Sequence, residues 1–313
     1  MAADKKKMVI LVPLFIMVGL IGFYHLFPGP AFNFLLAAER GAAGLKQKSV
    51  TIDGLRIEYL EGGKGDALLL LHGFGADKDN WTRFSRHLTR HFKVIAPDLP
   101  GFGESSADQD LKYTIDAQVE RLKAFMSGLD IQTFHLGGNS MGGNIAGVYA
   151  SKYPDQVKSL ILIAPGGVAS AETSELDRYL KEGNNPLIAK SSEEYDRLLD
   201  FVFLERPFIP GAVKKHLAQK AIERKDLNIA IFKQFNKTPD TLPLEVITKG
   251  LAVPTLIVWG ADDRVLHVSG AKLLNAVIPG SRLAVMDHVG HLPMVEKPKE
   301  TAGLCLNFIK RQP

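Results

Sequence analysis

Residues 138–142 read Gly-Asn-Ser-Met-Gly, a G-x-S-x-G sequence between an apolar segment and a run of small residues. Residues 133–136 predict a short strand, and residues 144–153 predict a helix that packs closely through small side chains. A serine at such a strand-to-helix turn has a strained backbone, and the flanking glycines leave room for the turn. The pattern therefore predicts a nucleophile elbow with Ser140 at its tip.

From residue 48 onward, strand patterns alternate with helix patterns, which is typical of an α/β fold with a largely parallel sheet. Several of the strand segments are almost continuously apolar, as expected for strands buried on both faces. The predicted strands cover residues 49–52, 55–60, 67–71, 94–96, 134–137, 160–164, 254–259 and 282–286.

The alternation stops after the sixth predicted strand, at the Pro-Gly-Gly run of residues 165–167. Residues 168–245 contain several helical patterns and no convincing strand, and the strand pattern resumes at residue 254. We therefore expect a core made of residues 48–167 and 246–313, with residues 168–245 inserted as a helical cap. Most aromatic side chains of this insertion would form its own core, and some would face the crevice beneath.

The N-terminus has a different composition. Three lysines at positions 5–7 precede an apolar run, residues 8–27, that is long enough to span a bilayer. A cleavable signal peptide has a shorter apolar region closely followed by its cleavage site, whereas the next such site here is residues 36–38. Residues 1–30 therefore predict an uncleaved membrane anchor with an exported catalytic domain, and secretion after cleavage is the alternative. Residues 31–47 would be a connector containing a short interfacial helix.

Composition narrows the possible partners. The 313 residues carry a formal net charge of +4, and the basic residues beyond the first ten are scattered. A stripe of basic and aromatic residues is missing from the sequence, so nucleic acid is not an expected partner. The single cysteine, Cys305, excludes an internal disulfide, fits no metal motif and lies in an apolar helical pattern. No metal or organic cofactor is implied, and the sequence assigns no oligomeric state.

A serine hydroxyl is a good nucleophile only when a base takes its proton and a third group orients that base. His291 is the candidate base, because it follows the last predicted strand in a Val-Gly loop that can place the imidazole over the elbow. His288 is nearer that strand and is expected to be structural. The acid is expected after the preceding strand, where Asp263 is preferred and Asp262 is the alternative.

Two other aspartates are weaker candidates for the acid. Asp287 is too close in sequence to the base, and Asp98 precedes the elbow beside a Leu-Pro-Gly turn.

Acyl transfer also needs donors aimed at the developing oxyanion. The backbone N–H of Met141, at the start of the elbow helix, is one candidate, and that of Phe74 is the other. His72, which precedes Phe74 in the same loop, is expected to make structural hydrogen bonds.

These segments together resemble the α/β-hydrolase superfamily over nearly everything from residue 48 onward. They are His-Gly-Phe-Gly at 72–75, Asp-Leu-Pro-Gly-Phe-Gly at 98–103, the elbow, Trp-Gly-Ala-Asp-Asp at 259–263 and Gly-His at 290–291. The resemblance implies the α/β-hydrolase fold, places the acid at Asp263 and maps the oxyanion donors to Phe74 and Met141.

Within the superfamily, the chain resembles the cold-adapted bacterial lipases and the membrane-anchored monoacylglycerol lipases. The shared segments are the elbow at 137–143, the cap segments 184–187 and 195–210, and residues 289–296. This resemblance implies a serine esterase or lipase that hydrolyses acylglycerol esters through an acyl-enzyme on Ser140. A lipid ester would be the substrate, and the N-terminal segment would bring the enzyme to the bilayer.

Two alternatives remain at this point. Carbon–carbon bond hydrolases of ring-cleavage products share the Asn-Ser-Met-Gly-Gly elbow and a run like Ala-Pro-Gly-Gly at 164–167. They usually carry Gly-Pro and a tryptophan at the positions where this chain has Gly75-Ala76 and Leu292. A catalytically silent binding protein on the same fold is the second alternative, and the intact set of five functional positions argues against it.

Overall fold

A computed structural model describes residues 26–108, 110–168, 172–236 and 242–312. Within these ranges, eight strands form one sheet in the order β1-β2-β4-β3-β5-β6-β7-β8. Strand β2 pairs antiparallel with both β1 and β4, and every other neighbouring pair is parallel. The strands are β1 (Leu45–Ile52), β2 (Leu55–Gly62), β3 (Ala67–Leu71), β4 (Lys93–Pro97), β5 (Phe134–Ser140), β6 (Val157–Pro165), β7 (Thr255–Gly260) and β8 (Arg282–Met286).

Helices cover both faces of this sheet, and the predicted α/β-hydrolase fold is confirmed. The α-helices of the described residues are α1 (Pro28–Ala42), α2 (Thr82–Ser85), α3 (Ile115–Gly128), α4 (Met141–Lys152), α5 (Glu175–Lys181), α6 (Ser192–Val202), α7 (Gly211–Glu223), α8 (Lys225–Asn236), α9 (Leu244–Ile247), α10 (Ser269–Val277), α11 (Pro293–Glu296) and α12 (Pro298–Ile309). Two short 3₁₀ helices, Lys78–Trp81 and Pro154–Gln156, complete the set.

Strand β3 shows how the sheet separates two hydrophobic cores. Its side chains alternate between the faces, so that Leu69 and Leu71 belong to one cluster and Leu68 and Leu70 to the other. All four are at most 1% exposed. Burying each leucine side chain contributes about 1.5–3 kcal/mol, which explains why a run of consecutive apolar residues is stable in a central strand.

The five helices α5 to α9, here called the helical insertion, lie between β6 and β7, after the sixth strand as the sequence predicts. Residues 172–236 and 242–247, the described part of this region, contain no strand. The insertion shares a small hydrophobic cluster with the sheet domain, in which Leu176, Phe201 and Val202 pack with Val265. The boundaries of a separate cap domain at residues 168–245 stay a prediction.

The predicted anchor, residues 1–30, lies outside the described residues except for its last five. The predicted connector, residues 31–47, is more ordered than expected: α1 extends over Pro28–Ala42 and β1 begins at Leu45, three residues before the expected core. Helix α1 packs against α7 of the insertion, with the Phe32 and His216 ring centroids 5.7 Å apart. Among the described ranges, no helix is both long and apolar enough to cross a membrane.

Candidate active site

Ser140 ends strand β5 and immediately precedes helix α4. Its φ of 55° and ψ of −120° are strained for a residue with a side chain. The turn is too tight for flanking side chains, because a Cβ on Gly138 would lie 2.1 Å from the carbonyl oxygen of Gly142. A Cβ on Gly142 would lie 2.3 Å from the carbonyl oxygen of Leu71. The strand-turn-helix geometry therefore matches the predicted elbow.

Asp263 and His291 form a buried pair behind this turn. The Asp263 Oδ2 atom lies 2.8 Å from His291 Nδ1, and their side chains are 0% and 5% exposed. The second carboxylate oxygen, Oδ1, accepts the backbone N–H groups of Val265 at 2.8 Å and Leu266 at 3.0 Å. Since Asp263 only accepts hydrogen bonds, Nδ1 of His291 carries the proton and Nε2 is left as the basic nitrogen.

The backbone of His291 is fixed on both sides. Its N–H donates to the Val202 carbonyl at 3.1 Å, and its carbonyl accepts from Nδ2 of Asn139 at 3.2 Å. Asn139 also donates to the Ile163 carbonyl at 3.1 Å. Because Asn139 directly precedes Ser140, this amide links the loop of His291 to the turn at Ser140. Asp263 and His291 are thus paired, and that these two residues and Ser140 act as a triad stays a prediction.

Of the competing candidates, Asp262, Asp287 and His288 are exposed at the surface, and none of them meets the predicted triad in the hydrogen bonds of the described residues. His288 has a φ of 55° and occupies a turn after β8. Within the same described ranges, no group of three or more His, Cys, Asp or Glu side chains is arranged to hold a metal ion. The lone Cys305 is fully buried in a core cluster, as predicted.

The loop after β3 carries the predicted oxyanion donor. His72 in this loop is fully buried, and its Nε2 accepts the backbone N–H of Leu99 at 3.0 Å. Its Nδ1 therefore carries the proton and donates to the Gly73 carbonyl at 2.8 Å. Burial lowers the pKa of His72, in keeping with this neutral tautomer. The predicted structural role of His72 follows from these two bonds.

A trans peptide directs its N–H opposite to its carbonyl, so the Gly73 carbonyl sets the direction of the Phe74 N–H. That carbonyl accepts from His72 and from the N–H of Ala76 at 3.3 Å, which fixes the plane of the peptide. Gly73 itself lies against the elbow, since a Cβ there would be 3.1 Å from the Cβ of Ser140. The loop is therefore held beside the serine with its orientation set by His72.

A buried ion pair supports this loop from below. The carboxylate of Asp98 accepts the backbone N–H of Lys78 and lies 2.7 Å from its Nζ, with both side chains at most 1% exposed. The same carboxylate accepts the N–H of Glu104 at 2.8 Å. Removing one partner of such a pair typically costs about 3–5 kcal/mol, because the other charge stays buried. Asp98 is thus a structural anchor, consistent with its low rank as a catalytic acid.

The helical insertion contacts each loop of the site. The Phe74 ring packs against Phe232 and Phe235 of α8, with centroid distances of 5.3 Å and 5.4 Å. The Phe102 ring also packs against Phe74, with a centroid distance of 5.8 Å. Arg264, which follows Asp263, forms a bidentate ion pair with Glu175 of α5. The insertion therefore supplies an aromatic wall beside the predicted oxyanion loop.

A serine at a strained strand-to-helix turn, near a buried Asp–His pair, is the arrangement of the α/β serine hydrolases. The sequence comparison agrees, because the alpha/beta hydrolase fold family matches residues 66–298. The chain belongs to this family.

Lipase 1 of Psychrobacter immobilis is 39% identical over 272 residues, which cover 86% of this chain and 85% of that protein. Human monoacylglycerol lipase ABHD6 is 31% identical over 256 residues, covering 79% of this chain and 76% of the relative. A crystal structure of a membrane phospholipase A has a TM-score of 0.89 and 41% identity, and the match covers 97% and 98% of the two chains. The resemblance to bacterial and monoacylglycerol lipases is therefore confirmed.

The fold is also shared with carbon–carbon hydrolases. A meta-cleavage product hydrolase from Pseudomonas fluorescens IP01 has a TM-score of 0.72 and 26% identity, covering 85% of this chain and 98% of that chain. Both its identity and its TM-score are lower than those of the phospholipase structure. The comparisons thus favour the lipases over the carbon–carbon hydrolases.

Sequence reasoning missed two residues that shape the site. Asn139 was noted only as part of the elbow, and its amide bonds to two carbonyls depend on the folded structure. Glu296 was noted only within the segment 289–296, although its carboxylate accepts the N–H of Gly290, next to the base. A single carboxyl in the apolar stretch His-Leu-Pro-Met-Val-Glu was the available signal for Glu296.

Proposed function

We propose that this chain is a lipase-type carboxylic ester hydrolase in which Ser140, His291 and Asp263 act as nucleophile, base and acid. The buried Asp263–His291 pair, at 2.8 Å, is the observation that carries the proposal. Nε2 of His291 takes the proton as the Ser140 oxygen attacks the ester carbonyl, and Asp263 stabilises the resulting imidazolium. The protonated histidine then gives its proton to the leaving alcohol, and water hydrolyses the acyl-enzyme by the same route.

The N–H groups of Phe74 and Met141 are the proposed donors to the oxyanion. Met141 is the first residue of α4, where N–H groups have no partner within the helix and the helix dipole favours negative charge. Phe74 is held in a peptide whose carbonyl is turned toward His72. One donor of this kind typically lowers the barrier by about 3–4 kcal/mol.

Acylglycerols are the proposed substrate class. The lipase relatives support this choice, and so does the aromatic wall of Phe74, Phe232 and Phe235, which offers apolar surface for an acyl chain. A panel of monoacylglycerols, triacylglycerols, short esters and a ring-cleavage dienoate, compared by kcat/KM, tests the proposal. We expect the highest value for an acylglycerol, and a highest value for the dienoate would establish the carbon–carbon alternative.

The role of the serine is tested separately. Ser140→Ala removes only a hydroxyl, so we expect it to abolish hydrolysis of p-nitrophenyl esters while the circular dichroism spectrum and Tm stay close to those of the wild type. Retained turnover in this variant would refute the assignment of the nucleophile.

We further propose that residues 1–30 anchor the enzyme in a membrane, with the catalytic domain on the exported side. The apolar run and the preceding lysines support this proposal, together with the exposed apolar side chains of Leu26, Phe27 and Phe34 at the start of the described chain. The protein should sediment with membranes and resist extraction by salt. Recovery of a soluble, N-terminally shortened protein would instead establish secretion after cleavage.

A further inference from the structure

Glu296, the last residue of α11, lies five positions after the proposed base and has no part in the mechanism above. Its side chain is half-buried, and its carboxylate accepts three backbone N–H groups. Oε1 accepts from Gly290 at 3.0 Å. Oε2 accepts from Leu204 at 3.0 Å and from Glu205 at 3.1 Å. One oxygen therefore bonds the loop of the base, and the other bonds the segment that follows α6 in the helical insertion.

The same two segments also touch directly. The N–H of His291 donates to the Val202 carbonyl at 3.1 Å. Between the segments there is no space for a side chain, since a Cβ on Gly290 would lie 2.8 Å from the backbone nitrogen of Leu204 and 3.1 Å from the Val202 oxygen. Residues 202–205 of the insertion and residues 290–291 of the core are thus in backbone contact. The Glu296 carboxylate accepts hydrogen bonds from both of these segments.

The chemistry of the contact requires a carboxylate. All three partners of the side chain are donors, and a carboxylate accepts at both of its oxygens. A glutamine would accept at one end and present an NH₂ group to an N–H at the other, so at least one of the two segments would lose its partner. Burial raises the pKa of Glu296 against the opposing effect of its hydrogen bonds from backbone N–H groups.

We propose that Glu296 is a positioning residue for His291, fixing the Gly290–His291 backbone against residues 202–205 so that docking of the helical insertion and alignment of the base depend on each other. The inference rests on the proposed role of His291. In this arrangement the insertion acts on the reaction through the base, in addition to supplying the aromatic wall beside Phe74. A displacement of about 1 Å in a reacting group can lower the rate of the chemical step about 100-fold.

Glu296→Gln is the test, and Lys297→Ala is the matched control. Lys297 forms an ion pair at 3.0 Å with Glu205, so it also links the residues after α6 to the core, but both side chains are partly exposed and neither bonds the loop of the base. With a p-nitrophenyl ester, we expect Glu296→Gln to lower kcat about 10- to 100-fold with KM within about twofold, and Lys297→Ala to leave both unchanged. An equal effect of the two variants, or a loss confined to KM, would overturn the proposal.

A second variant acts from the other side of the contact. Leu204→Pro deletes the N–H that bonds Oε2 of Glu296, and Phe203 before it already has the extended φ of −108° and ψ of 138° that proline requires of its neighbour. Leu204 is 45% exposed, so its side chain contributes little to packing. We expect a smaller fall in kcat, and no further fall when the variant is combined with Glu296→Gln. Fully multiplicative effects would show that the two residues act independently and would refute the coupling.

The state of the base can be measured without a substrate. The proton between His291 and Asp263 should give a low-field ¹H NMR signal, which we expect Glu296→Gln to shift or broaden and Lys297→Ala to leave in place. Labelling of Ser140 by a fluorophosphonate should slow in Glu296→Gln in proportion to kcat. An unchanged NMR signal and labelling rate in a folded Glu296→Gln protein would refute the positioning role. A failure of the proposed function is recognised differently, because Ser140→Ala would then retain ester hydrolysis in the wild-type background.

Discussion

Replacing Asp263 by asparagine should reverse the hydrogen-bond polarity at the base without disturbing the loop. The amide has one acceptor and one donor end, so two orientations compete. In the first, its oxygen keeps the N–H bonds of Val265 and Leu266, and its NH₂ group faces His291 Nδ1. In the second, the NH₂ group faces both N–H groups and leaves two buried donors unpaired, at about 1–3 kcal/mol each. The first orientation is therefore favoured by about 2–6 kcal/mol.

In the favoured orientation Nδ1 of His291 must accept a hydrogen bond, so the proton moves to Nε2. The imidazole then presents a donor to Ser140 and can no longer take its proton. The corresponding substitution in serine proteases lowers kcat about 10⁴-fold, equal to about 5.5 kcal/mol of barrier. We expect a loss of this size for Asp263→Asn, measured as kcat/KM on a p-nitrophenyl ester at pH 8, with a Tm close to that of the wild type.

Asp262→Asn is the control, because this neighbouring side chain is exposed and should affect kcat/KM less than about twofold. The reasoning would be refuted if Asp263→Asn kept kcat/KM within tenfold of the wild type while folded. A larger loss in Asp262→Asn than in Asp263→Asn would move the role of the acid to Asp262.

Two further predictions concern groups with shifted pKa values. Burial, and then the nearby carboxylates of Asp79 and Asp98, raise the pKa of Asp77 from 3.8 to about 7. Ionisation of Asp77 therefore destabilises the folded protein more and more as the pH rises toward 7. Asp77→Asn, whose amide oxygen can still accept the N–H of Asp79, should therefore raise Tm more at pH 8 than at pH 5 in differential scanning calorimetry; an equal gain at both pH values would contradict the pKa. Burial raises the pKa of the Cys305 thiol to about 12. The thiol should therefore not react with dithiobis(nitrobenzoate) at pH 8 until guanidinium unfolds the protein. Complete labelling of the native enzyme within seconds would show instead that the thiol is accessible.

The sequence predicted the parts of this protein that depend on local patterns. The eight strands, the elbow turn and the pairing of Asp263 with His291 follow from apolar runs, glycine positions and the ends of parallel strands. The contacts of Glu296 could not be predicted in this way, because Leu204 and Glu205 are more than 90 residues away in sequence. The periodicity of apolar residues does not predict which distant backbone N–H groups will donate hydrogen bonds to a buried carboxylate.

The N-terminal region illustrates the same limit. The sequence predicts a connector with a short interfacial helix over residues 31–47, but helix α1 begins at Pro28, and Pro28 and Pro30 stand at its start, where proline is tolerated. The helix is stabilised by distant partners: Arg40 pairs with Asp79 in the 3₁₀ helix before α2, and Phe32 packs on His216. Its length therefore depends on tertiary contacts that composition does not reveal.

The contact between Phe74 and the aromatic rings of α8 has a consequence for protein engineering. A designer who wishes to change the preferred chain length would vary Phe232 or Phe235, the rings of the proposed acyl-chain wall, which pack on the ring of Phe74. The backbone of that same residue supplies a proposed oxyanion donor, so a cavity at either ring also loosens the group that stabilises the transition state. With these proposed roles, selectivity and turnover would be linked traits, and libraries that vary the wall should allow compensating changes at Phe102, which also packs on Phe74.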